Sequence, residues 1–258
     1  MGTEAYTLGR GEVHFSRFKS GTQVGEGYRY LGNSPEWSLT LETETLDHYN
    51  SDRGIREKDK SITLEVSRTG SLVLDEITMD NLAFFLFSAA GEQTVTDAGS
   101  TVTGYAIADA IPGRSYKLGE TASDPNGDFK ISSSGFAVKK GATTFAAGTD
   151  YVLDAERGVL TIVEGGAIVT GDDLTVDYTV LASTMSRVVS GSEKVEGSLM
   201  YKEYNPTGEN KTWVFPYVTL APNGDLAFKG DEWQQIPLTV EVLRKSSLEA
   251  IYINGVAA

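Results

Sequence analysis

The chain has 258 residues, 40% of them apolar, and a formal net charge of −14 from 22 Lys and Arg against 36 Asp and Glu. That length supports one large β domain or two smaller ones, and the acidity argues against a phosphate-gripping protein, whose affinity comes from clustered cations. The absence of cysteine excludes disulfides, thiol catalysis and thiolate metal sites.

Glycine is abundant at 28 residues, with only 7 prolines, a balance that suits short strands and tight turns and leaves little helix. Met1 to Glu12 holds no apolar stretch of signal-peptide type, and Tyr6 stands where a myristoylation motif needs Ser or Thr. The longest apolar run, Leu82 to Phe87, is far too short to span a bilayer. The expectation is a soluble protein.

Trp37 to Leu46 reads as the first long strand. Trp37, Leu39 and Leu41 alternate with Ser38, Thr40, Glu42 and Glu44, the period of a half-buried strand with the apolar set on the core. Ile62 to Arg68 repeats it, with Ile62, Leu64 and Val66 opposite Ser61, Thr63, Glu65 and Ser67. Between them lies a polar, charged connection: Asp47, His48, Tyr49, Asn50, Ser51, Asp52, Arg53, Gly54, Ile55, Arg56, Glu57, Lys58 and Asp59. A hairpin needs only two to five loop residues, so the excess is either mobile or has a partner. Asp75 or Thr78 is positioned to cap a short helix that Gly91 would stop. Its apolar residues occur nearly all round, which predicts burial between sheets.

The texture changes from about Thr94 to Ser183. Short strands at Tyr151 to Leu153, Val159 to Val163 and Leu174 to Val180 are punctuated by turns such as Asp124-Pro-Asn-Gly127, the pattern of a small β-sandwich inserted into the first domain. The predicted division is 1–93 and 184–258 for the core and 94–183 for the insert. After it, Trp213, Phe215 and Tyr217 alternate with Val214, Pro216 and Val218, and Ile236 to Leu243 alternates again. The fold class expected from these elements is mainly β with one short helix, plus the small inserted sandwich.

Candidate chemistry is sparse. His14 and His48 are too few for most metal or acid–base schemes. Asp124, Asn126 and Asp128 imitate the start of a calcium loop, but Phe129 stands where glycine is required and Gly135 where the bidentate glutamate belongs. Glu42, Glu44 and Glu65 make a glycosidase pair imaginable, yet such faces are usually only solvated. Gly25-Glu-Gly27 lacks the third glycine of a dinucleotide site. No catalytic residue, cofactor or metal is assigned.

Gly27-Tyr-Arg-Tyr-Leu-Gly-Asn-Ser-Pro35, Trp37-Ser-Leu-Thr-Leu41, Leu46-Asp-His-Tyr-Asn-Ser51, Gly54-Ile-Arg-Glu-Lys-Asp59 and Asp80-Asn-Leu-Ala83 follow one another in the order seen in the tail tube proteins of long-tailed siphophages. Trp213 to Leu220 and Glu232-Trp-Gln-Gln-Ile-Pro-Leu238 also resemble that family. The resemblance covers about residues 10–90 and 190–245; the region between is similar to the immunoglobulin-like decorations such subunits sometimes carry.

The resemblance implies a structural virion protein of the phage tail, assembled in the host cytoplasm, whose core is two packed β-sheets, sandwich- or barrel-like, with the short helix against them. Six copies would close a ring and pool their inner strands into a barrel around a channel, and rings would stack. The Asp47 to Asp59 segment would reach the next ring, disordered in the free subunit and ordered on stacking. Thr40, Glu42, Glu44, Thr63 and Glu65 would line the channel, and the acidic wall would repel DNA passing without specific binding. Partners would be further copies and other tail proteins such as the tape measure and terminator, with no membrane involved. The rival reading is a carbohydrate-binding or adhesin-like β-sandwich in which Trp213, Tyr217 and Trp233 form an exposed stacking platform.

Overall fold

The computed structural model describes residues 6–52, 54–88, 90–246 and 248–255. In chain order its elements are β1 (Gly11–Arg17), β2 (Arg29–Tyr30), β3 (Glu36–Asn50), β4 (Glu57–Leu74), α1 (Met79–Phe85), β5 (Gln93–Asp97), β6 (Ser100–Ala110), β7 (Ser115–Lys117), β8 (Ala137–Lys140), β9 (Thr143–Thr144), β10 (Tyr151–Asp154), β11 (Val159–Ile162), β12 (Asp172–Val180), β13 (Ser183–Arg187), β14 (Val195–Glu203), β15 (Lys211–Pro222), β16 (Ile236–Val242) and β17 (Tyr252–Gly255). The protein is mainly β with one helix, its antiparallel sheets packed in a sandwich-like way. The chain forms two compact units, one built from residues up to Gln93 and from Arg187 onward, the other from Thr94–Ser186.

In the first unit the strands run β2-β1-β14-β15-β16-β4-β3, with β17 also on β15. Hydrogen bonding joins these strands into one sheet of eight that curls over its own core, a barrel-like form of the two packed layers expected. Trp37 on β3 meets Phe215 on β15 edge-on at 5.8 Å, although β16 and β4 lie between those strands. Flat strands so separated stand roughly 14 Å apart. Gly70 makes the contact possible: a Cβ there would lie 2.8 Å from the Trp37 indole. The core gathers Val13, Phe15, Leu72, Leu74, Leu199, Phe215, Leu220, Leu238 and Val240, all almost wholly buried.

Two expectations change here. The helix ends at Phe85 and not near Gly91, with Leu86 as C-cap and Phe87 at φ +54. It buries Asn81, Ala83 and Phe84 but leaves Met79 and Leu86 exposed, so it covers one face and is not enclosed. In β15 the expected alternation breaks, because the pairing to β14 slips between Gly197 and Leu199. Phe215 and Val218 both enter the core as a result. Pro216, which has no N–H to donate, sits at this irregularity, where a sheet tolerates proline.

The second unit begins and ends in the two-stranded ribbon β5–β13, and its body is a three-stranded sheet β10-β11-β7 with a four-stranded sheet β6-β12-β8-β9. Leu118, Val138, Leu160, Ile162, Ile168, Leu174, Val176 and Tyr178 fill its core. The Asp124-Pro-Asn-Gly127 segment is a turn in which the Asp124 carboxylate accepts from Asn126 N–H at 3.1 Å. Asp128 accepts from the Tyr178 hydroxyl at 2.7 Å.

Candidate assembly surface

β3 and β4 form one hairpin of unusual length. Its base belongs to the core, where Trp37 and Leu39 pack beside buried Leu72 and Leu74. Beyond the base it leaves the body. From Thr40 to Val66 every described residue except Asp47 is exposed. The ladder continues all the same, pairing Leu41 with Arg68, Glu44 with Glu65, Leu46 with Ile62 and Asn50 with Glu57. At about 3.3 Å per residue the arm reaches roughly 30 Å past the sheet.

This corrects two sequence expectations. Asp47 to Asp59 is not a long loop: Asp47, His48, Tyr49 and Asn50 are strand, Glu57, Lys58 and Asp59 are strand, and the turn is confined to 51–56. Arg53 lies outside the described residues; Ser51, Asp52, Gly54, Ile55 and Arg56 make up the rest of the turn. Cross-strand polar pairs hold the tip. Lys58 and Ser61 both donate to Asp47, at 2.7 and 2.6 Å, and hold its carboxyl below the usual range. His48 Nδ1 meets Asp59 at 2.5 Å, and the Arg56 guanidinium lies 4.4 Å over the Tyr49 ring.

The second correction concerns the apolar face. Leu41 is 56% exposed and Leu64 55%, with Ile62, Leu46 and Val66 also at the surface. The alternation is real, but the face it creates has no core to enter within a single chain. The pairing also slips between Glu44 and Thr45. Strict alternation therefore fails at that point: Leu46 and Ile62 share the face of Glu42 and Glu44, while Leu41, Val66 and Thr63 lie on the other, so Thr63 does not join the glutamates.

Thr40, Glu42, Glu44, Thr63 and Glu65 are all exposed, and Glu42, Glu44 and Glu65 border one shallow hollow of about 220 Å³ with Ser67. Glu44 stands directly opposite Glu65, and like charges so placed destabilise a ladder. β3 is also the last strand of its sheet, so its outer edge offers N–H and C=O groups to a further strand.

The stacking platform of the rival reading does not form. Trp213 packs against the core and donates its indole N–H to Glu203 at 2.7 Å. The half-buried Tyr217 donates its hydroxyl to Glu196 at 2.8 Å, which with burial pushes its pKa up to about 12. Only Trp233 stands free in solvent, 93% exposed. Among the described residues no group of three or more His, Asp or Glu could hold a metal ion.

A family model described as "Protein of unknown function UCP028589" matches residues 6–250, and so spans both units. No curated protein matches the chain.

Proposed function

The chain belongs to the family of unknown function UCP028589, and we propose that it is a self-assembling tube subunit, of the kind that forms the tail tube of a long-tailed phage. One observation carries this reading: the β3–β4 arm, with apolar residues exposed along it and an open strand edge. A lone two-stranded ribbon is marginal in water, and an exposed, long, apolar edge strand is a template for pairing with another chain. In a closed ring β3 of one copy adds to the sheet of the next, the edges disappear, and Leu41 and Val66, on the face opposite the glutamates, leave the solvent. Six copies per ring and stacked rings follow from the resemblance.

Glu42, Glu44 and Glu65 then belong to the channel wall. Their clustering lowers the stability of a single chain and suits a conduit that must not hold its polyanionic cargo. The arm tip reaches the neighbouring ring as an ordered strand end. The protein acts by geometry and charge, without catalysis, on this reading.

The test combines Glu42→Lys, Glu44→Lys and Glu65→Lys in one chain. These side chains make no core contacts, so assemblies should still form. DNA should now stay bound to them in a salt-sensitive way, since the field of such charges acts over about 8 Å at physiological salt. Assemblies that pass DNA as freely as the parent at low salt would remove the glutamates from the channel.

A further inference from the structure

Between β15 and β16 the chain makes a loop, residues 223–235, that carries two aromatic side chains clear of the body. Phe228 is 84% exposed and Trp233 93%. The loop is pinned: the Gln234 side chain donates to the Ala227 carbonyl at 2.7 Å. That hydrogen bond joins the residues next to the two aromatics, so Phe228 and Trp233 project together from a closed base. Holding an anchor in place before docking lowers the entropy lost on binding. The projecting part is acidic, with Asp225, Asp231 and Glu232 against Lys229.

The same unit contains a surface suited to receive it. A groove of about 1020 Å³ opens beside the turn after β1, walled by Arg17, Phe18, Lys19, Gly21, Val195 and Glu196. Phe18 and Val195 are buried apolar walls. Three cations, Arg17, Lys19 and Lys194, line the groove against two carboxylates, Glu193 and Glu196, with Lys194 paired to Glu241, and a fourth cation stands beside it. Lys245 lies 4.7 Å over the Phe18 ring and donates to the Gln23 carbonyl; Lys19 makes no ion pair among the described residues. In a chain of net charge −14, most surfaces of two copies repel each other. An acidic aromatic loop facing a cationic apolar groove is where attraction wins.

We propose that Trp233 and Phe228 of one copy dock in the Phe18–Val195 groove of a second copy. The proposal rests on the reading that copies of this chain associate, and names a contact that makes them do so. Both surfaces lie at the end of the sheet where β1 and β15 finish and β14 and β16 begin, as the pairings Arg17 with Gly197 and Pro222 with Leu238 place them. Loop and groove are different patches of the same chain, so copies joined one way only make a heterologous contact, the kind that closes a ring when the rotation permits, whereas reciprocal exchange would stop at a two-fold dimer and give no ladder. Trp is the side chain most often found as such an anchor.

The absence of native cysteine makes the contact directly testable. Gly230→Cys places a thiol on the loop, where the glycine has open space around it, and Ser20→Cys places one on the groove wall. Oxidising a mixture of the two assembled single variants should give a covalent dimer that neither gives alone, and a chain carrying both should give a ladder. Trp233→Ala should raise the concentration needed for assembly about 30-fold or more, the effect of losing a dominant anchor, while circular dichroism stays that of the parent. Assembly without the cross-link, with Trp233 still open to acrylamide quenching, would overturn this contact and leave self-assembly standing; the anchor would then serve another partner. A wild-type chain that remains monomeric at every concentration would overturn both.

Discussion

Asn81 ties three segments of the first unit together at one point. Its side chain is fully buried, donates to the Leu31 and Glu76 carbonyls at 2.8 and 2.9 Å, and accepts from Arg29 at 2.8 Å. Arg29 and Arg17 in turn lie over the Phe84 ring. Removing a partner from a buried carbonyl leaves its desolvation uncompensated. Asn81→Ala should therefore cost the first unit about 2–4 kcal/mol, read as a shifted urea midpoint. Tryptophan fluorescence isolates that unit, because Trp37, Trp213 and Trp233 all belong to it. The insert responds to pH through three carboxylates. Asp150 accepts the Ala146 and Ala167 N–H groups, Asp172 is paired with Lys140, and Asp177 with Lys139. Each carboxyl sits below its ordinary 3.8. A carboxyl depressed by folding contributes stability above its unfolded pKa and loses it as pH falls through the folded value. The insert should hold constant protection above about pH 5 and weaken below about pH 4. Hydrogen exchange of the β11 and β12 peptides reads this directly, and Asp150→Asn with Asp172→Asn should flatten the profile.

At the scale of elements, the β3–β4 arm divides what a sequence displays from what it conceals. Period-two alternation marks the two strands, because that period is set by the backbone alone, but the slip at Leu64 puts Ile62 and Val66 on opposite faces, which the spacing hides. It could not say what covers the face. Leu41 and Leu64 look like core residues by spacing, and only coordinates reveal that the ladder has left the body. In the sequence the tip looks like a loop because Asp47 to Asn50 and Glu57 to Lys60 carry polar residues on both faces, so no hydrophobic period marks them. The available signal was the alternating sign of Glu57, Lys58, Asp59 and Lys60, which suits cross-strand pairing with Asp47 and His48. In β15 the aromatic alternation misled because the slip near Pro216 resets the phase. The arm carries its own test. Leu41→Ser with Leu64→Ser should leave the unfolding free energy of the free chain, read from urea titration, within about 0.5 kcal/mol of the parent, as for surface sites. A core pair would lose several times that. The same double variant should fail to sediment as large assemblies at concentrations where the parent does.

For the whole molecule, the fold class was legible in composition and turn spacing, whereas the single curled sheet was not. Curling depends on contacts such as Trp37 with Phe215, which join residues remote in sequence. The change of texture near Thr94 coincides with the first residue of the second unit. Because β5 and β13 pair, Gln93 and Arg187 stand at neighbouring ends of one ribbon, and a short Gly-Ser linker can replace 94–186. The shortened chain should fold with the parent's tryptophan spectrum and should still assemble, since neither the arm nor the 223–235 loop lies in the deleted part. Loss of folding with several linkers would place part of the first core in the insert.

The central claim is that copies of this chain close the open edge of β3 against one another. Electron cryo-microscopy of the concentrated protein decides it. Closed rings or stacked tubes are expected, in which β3 of each copy hydrogen-bonds to its neighbour and Glu42, Glu44 and Glu65 face a continuous channel. A monodisperse monomer with the arm free, unchanged up to millimolar concentration, would contradict it.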